Sequence, residues 1–106
     1  MPKFMVQASY TAEGLKALQN KKASGRREAV EAAAHSIGGK LESMHFCLGD
    51  CDVVAILDLP DHVGVAALSL AASASGLVRT KTTALLTVEE ADEALAKKID
   101  YRPPGQ

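Results

Sequence analysis

Between Lys3 and Tyr10, Phe4, Val6, Ala8 and Tyr10 alternate with Met5, Gln7 and Ser9, the period-two pattern of a strand with two unlike faces, and the run stops at Thr11. Thr11 predicts a cap for a helix carrying Leu15 and Leu18, which the polar stretch Asn20 to Gly25 should break. Ser24 then caps a second segment, where Val30, Ala33, Ala34 and Ile37 recur at helical spacing until Gly38 and Gly39 end it. One bent helical crossover is the simplest account.

Leu41 to Leu48 alternates again, with Glu42, Met44, Phe46 and Leu48 on one side and Leu41, Ser43, His45 and Cys47 on the other. Gly49 and Asp50 predict a tight turn into a third strand, Asp52 to Leu59. Val53 to Leu57 is apolar at every position, as in a central strand covered on both faces. One layer of helices covers only one face, so a second copy of the chain is the natural cover for the other. Pro60 and Asp61 start a helix to about Ser75, and Gly76 ends it. In the fourth strand, Leu77 to Leu86, Val78, Thr80, Thr82 and Ala84 lie on one face and Arg79, Lys81 and Thr83 on the other. Thr87 and Glu90 form a capping box for a last helix, whose Val88, Ala91, Leu95 and Ile99 make an apolar stripe opposite Glu89, Asp92, Lys97 and Lys98. The order strand, helix, strand, strand, helix, strand predicts an α+β ferredoxin-like βαββαβ fold: a four-stranded antiparallel sheet with helices on one face, plus a C-terminal helix. Residues 1–100 form the single domain of this reading, and 101–106 a proline-broken tail.

The opening MPKFMVQASYTAEGLKAL, the run Gly38 to Ser43, the segment GDCDVVAILDLPD, the stretch SASGLVRTKTTALLT and the tail YRPPG resemble the GYD-domain family of small bacterial and archaeal proteins. The resemblance spans nearly the whole chain. It implies a ferredoxin-like fold of the dimeric α/β-barrel kind, and it names a fold better than a function. The motif that gives the family its name falls on Gly49, Cys51 and Asp52, with Cys51 standing where the tyrosine is expected.

Composition removes several classes. Lys plus Arg is 12 against 13 for Asp plus Glu, a net charge of -1, so there is no basic excess to neutralise a nucleic-acid backbone. No stretch is long and apolar enough for a signal peptide or a membrane span, and Cys47 and Cys51 are too few for a disulfide framework. A cytoplasmic protein with reduced thiols is expected, without a cofactor, nucleic-acid partner or membrane partner.

The sheet face left bare by the helices holds the candidate chemistry. A two-residue turn at Gly49 and Asp50 places Ser43, His45, Cys47, Asp52, Val54 and Ile56 on one face and turns Cys51 away. A turn one residue longer flips the third strand and brings Cys51 to His45 and Cys47. Gln7 and Ser9 from the first strand, with Arg79 and Lys81 from the fourth, complete a ligand-binding candidate set of Gln7, Ser9, His45, Cys47, Asp52, Arg79 and Lys81. That mixture suits a small anionic ligand, or an interface in which the cations meet Asp52 or Asp58 of another subunit. His45, Cys47 and Cys51 contain zinc- or copper-type ligands, but three ligands without a second Cys or His pair are weak support, and no metal is expected. Arg26 and Arg27, near the start of the second helical segment, are an anion-binding candidate because cations there oppose the helix dipole. The function expected is a homo-oligomeric binding or accessory protein. The alternatives are a small-molecule enzyme of the dimeric α/β-barrel type with His45 as acid or base, and a purely structural assembly unit.

Overall fold

The strand patterns close into one sheet because their apolar faces need a common cover. A computed structural model describes all residues, Met1–Gln106. In chain order the elements are β1 (Lys3–Tyr10), α1 (Ala12–Ser36), β2 (Lys40–Phe46), β3 (Val53–Asp58), α2 (His62–Ala74), β4 (Val78–Leu85) and α3 (Val88–Ala96). The four strands form one antiparallel sheet in the order β2-β3-β1-β4, the ferredoxin-like order. β3, apolar from Val53 to Leu57, lies inside the sheet as that run requires.

Strict alternation would point Leu41 to the bare face and Glu42 into the core. A β-bulge between Leu41 and Ser43 prevents this: Leu41 pairs with Leu57 while Ser43 already pairs with Ile56. The expected faces of β2 are therefore corrected at two positions, with Leu41 packed against the core and Glu42 free to reach Lys3.

The core lies between the sheet and the two helices. Phe4, Ala34, Leu57, Leu59 and Val65 form its main cluster, and Ala8, Val53 and Val78 a smaller one. Leu57 and Leu59 are only 1% and 0% exposed, and such a side chain contributes about 1.5–3 kcal/mol on burial. Glycines set two close approaches: a methyl at Gly39 would meet the Asp58 carbonyl, and one at Gly14 the Leu77 carbonyl.

The first crossover bends where the polar stretch predicted. Thr11 caps α1 by accepting from the Gly14 N–H, and helical geometry is interrupted at Lys22, with φ 64° and ψ 174°. Ser24 is not the cap of the second segment, because the helix resumes directly after Lys22. That backbone conformation is close to glycine-only territory and costs a side chain of order 1–3 kcal/mol. Lys22 is exposed, so little else holds it. Lys22→Gly is therefore expected to raise stability by about 1 kcal/mol in urea unfolding, whereas Lys22→Ala, which keeps the Cβ, should give no gain.

α3 is the element that departs from a closed body. Its capping box is complete, with Thr87 Oγ1 accepting from the Glu90 N–H at 3.0 Å and Glu90 Oε1 from the Thr87 N–H at 2.9 Å. The helix ends at Ala96, so Ile99 falls beyond it, and no residue of α3 is buried. Neither the sheet nor α1 or α2 packs substantially against it. Leu86, Val88, Leu95 and Ile99 thus stay exposed along an arm. The radius of gyration is 16.7 Å, where a compact chain of this length gives about 13 Å. No helix is long and apolar enough to cross a membrane.

Candidate functional site

The registers settle which side chains share the bare face. His45 is opposite Val54, Val54 opposite Gln7, and Gln7 opposite Lys81, so one row crosses all four strands. Ser43, Ile56, Met5 and Thr83 make the next row, and Ser9 faces Arg79 beside the first. Met5, Val54 and Ile56 are half-buried at the centre, Gln7 and Ser9 half-buried around them, and His45, Arg79 and Lys81 exposed. The face has an apolar centre and a polar rim.

Charge on this face is unbalanced. Lys3 donates to Glu42 Oε1 and Asp58 Oδ1, both at 2.7 Å, and these are the chain's ion pairs. Lys40, Arg79 and Lys81 have none, so cations outnumber carboxylates here although the chain as a whole carries -1. The hydrogen bond from Lys3 holds the buried Asp58 carboxyl below the ordinary range against the opposing effect of desolvation, and Lys40 and the amino terminus help. A depressed pKa adds stability above the unfolded value near pH 4 that is lost as pH falls through the folded value below it. Lys3→Met is accordingly expected to destabilise at neutral pH. Its deficit should shrink as acid protonates Asp58, which urea unfolding from neutral pH down past about pH 4 would read.

The β2–β3 register is the one that a Gly49–Asp50 turn would give, but the Cys47 N–H donates to the Asp52 carbonyl at 2.8 Å and closes a loop of four residues, Leu48 to Cys51, so the expected two-residue turn is not formed. Cys51 accordingly does not turn away. Its Sγ is 3.7 Å from Cys47 Sγ and 3.9 Å from Gln7 Nε2, because Leu48 to Cys51 is a loop, in which strand alternation no longer governs direction. Both thiols are free, and that of Cys47 is raised by desolvation, with Cys51 and then Asp52 adding to it. His45 does not join them in a group of three metal-type ligands. The Asp52 carboxylate is already engaged: Oδ2 accepts from the Tyr10 N–H at 2.8 Å and prolongs the β1–β3 ladder. Gly49, in the family motif, lies in the open hairpin loop.

On the opposite side of the sheet, α1 and α2 leave a cavity of about 470 Å³. Sequence reasoning placed the ligand site on the bare face and missed this hollow. The available signal was the many alanines and glycines of the two helices, which leave space as readily as they permit close packing. Arg26 lines the cavity, together with Tyr10 and Lys21, while Arg27 is exposed and outside it. Burial raises the Tyr10 phenol, and the neighbouring Arg26 guanidinium pulls it partly back.

No curated protein and no solved structure matches the chain. The family model described as GYD domain matches residues 4–95, from the second residue of β1 almost to the end of α3. With the βαββαβ order and the hairpin bearing Gly49, Cys51 and Asp52 in place, the chain belongs to the GYD domain family.

Proposed function

We propose that the chain is the subunit of a cytoplasmic homo-oligomeric binding protein, in which a second copy covers the bare sheet face and the polar row Gln7, Ser9, His45, Arg79 and Lys81 takes a small anion. The observation that carries this reading is the face itself: a half-buried apolar centre within a rim whose cations Arg79 and Lys81 lack partners. An apolar core with a polar rim is the anatomy of a protein interface. Surface area supports it. The chain exposes 7713 Å² at 11.1 kDa, where a compact monomer of that mass exposes about 5,700 Å². Stacking two copies of a cationic face leaves like charges in a confined space, and an anion there offsets them.

Native mass spectrometry of the purified protein tests both parts. An oligomer carrying extra mass that Arg79→Ala and Lys81→Ala remove is the expected result, and a monomer would overturn it. The acidic arm favours a second reading, a purely structural assembly unit. α3 carries Glu89, Glu90, Asp92 and Glu93 and no basic residue, so it complements a partner's Arg79 and Lys81. Under that reading the same substitutions weaken association and no extra mass is seen.

A further inference from the structure

The cavity under the helices is built differently from the bare face. Val6, Ala8 and Val78 from the strands, Val30 from α1, and Leu68 and Ala72 from α2 give it a hydrocarbon wall. Water in such a space finds few hydrogen-bond partners, while 470 Å³ is within the range of small-molecule sites. Its charged groups are confined to one segment of α1, with Tyr10 at the end of β1 beside them, while Ser69, Ser75 and Thr80 add only hydroxyls elsewhere on the lining. The interruption at Lys22 separates Lys21, in the last turn of one helical segment, from Arg26, in the first turn of the next, yet both line the same hollow with Tyr10. Neither cation has an ion-pair partner in the chain. Arg26 is half-buried, so its charge lies beside low-dielectric surroundings without a counter-ion.

We propose that this cavity binds a monocarboxylate with an apolar body, its acid group on the Arg26 guanidinium beside the Tyr10 hydroxyl and its body along Val30, Leu68 and Ala72. A guanidinium presents a planar fork that matches the two oxygens of a carboxylate. The Tyr10 phenol, neutral at physiological pH as any tyrosine is and raised further by burial, is a donor for the same group. Lys21, exposed at the rim, adds attraction at longer range. The hydrocarbon wall has room for roughly ten to fifteen non-hydrogen atoms, and it excludes compact inorganic anions by offering them few polar contacts. This site is on the other side of the sheet from the proposed interface and does not depend on it.

Calorimetric titration of the full-length protein with octanoate, and separately with octanol, tests the assignment. Octanoate is expected to bind about tenfold or more tightly than octanol, because only the acid makes the charge-assisted bond. Arg26→Gln should erase that preference while leaving octanol binding and the melting temperature nearly unchanged. Ala72→Leu, which fills the hollow, should weaken both probes, with Ala29→Leu at the rim serving the same purpose if the first variant does not fold. Arg79→Gln, on the opposite face, should affect neither. Equal binding of acid and alcohol, no binding of octanoate, or loss of octanoate binding in Arg79→Gln would each overturn the proposal. So would octanoate binding only in a chain ended after Leu86, since the arm of another copy would then be the natural occupant.

Discussion

Ile56→Lys is expected to leave the chain a monomer if, as proposed, a second copy covers the bare sheet face. Ile56 is half-buried at the centre of the bare sheet face, opposite Met5 on one neighbouring strand and Ser43 on the other. A lysine there replaces apolar contact area with a charge, in the middle of a face whose rim already carries unpaired Arg79 and Lys81. A two-fold contact suffers the substitution twice, once from each copy. Burying an uncompensated charge costs several kcal/mol, and about 4 kcal/mol is roughly a thousandfold in a dissociation constant. The chain should still fold, because Ile56 belongs to neither core cluster. Light scattering across a concentration series reads the outcome. If Ile56→Lys remains as associated as the parent, this face is not the interface.

Gly14→Ala is expected to give the largest loss of stability from the addition of one carbon. Gly14 is buried in the first turn of α1, and a Cβ there runs into the Leu77 carbonyl oxygen. That carbonyl accepts the Thr11 N–H at 2.9 Å and is 3.3 Å from the Thr11 hydroxyl, so it joins the start of α1 to the start of β4. The obstacle is backbone on both sides and cannot be relieved by rotating a side chain. Overpacking of this kind costs about 3 kcal/mol, which in a domain of this size lowers the melting temperature by more than about 10 °C. Gly49→Ala is the matched control. A methyl at Gly49 meets nothing within 4 Å, and its φ is not positive, so the change should stay within about 0.5 kcal/mol. Comparable losses at the two positions would mean that the α1–β4 junction has room to open.

Most of the fold was legible because its signals are local. Alternation in β1 and β4, the unbroken apolar run of β3, the caps Thr11 and Thr87 and the terminating Gly38 and Gly76 each act over a few residues. The bulge in β2 was hidden because it is a compromise between two strands: Leu41 must meet Leu57 and Ser43 must meet Ile56, which no reading of β2 alone reveals. The grouping of Gln7, Ser9, His45, Arg79 and Lys81 followed from alternation and topology together. Cys51 did not, since a loop residue obeys neither. The cavity was beyond reach for another reason: empty space depends on how far two helices stand from a sheet, and no residue type encodes that distance. The isolation of α3 was equally hidden, because an apolar stripe looks the same whether its partner is in the same chain or another.

The arm formed by α3 also bears on how many copies an assembly holds. β4 ends at Leu85 and α3 begins at Val88, leaving little slack to redirect the helix. If two chains lay their arms on each other, both arms and both receiving surfaces are consumed and growth stops at two. If the arm reaches a third chain, each end keeps one free arm and one free receiving surface, and units add without limit. The first arrangement has a fixed mass above its association threshold, while the second lengthens with concentration. The direction in which one short helix leaves an edge strand would then decide between a closed particle and a fibre.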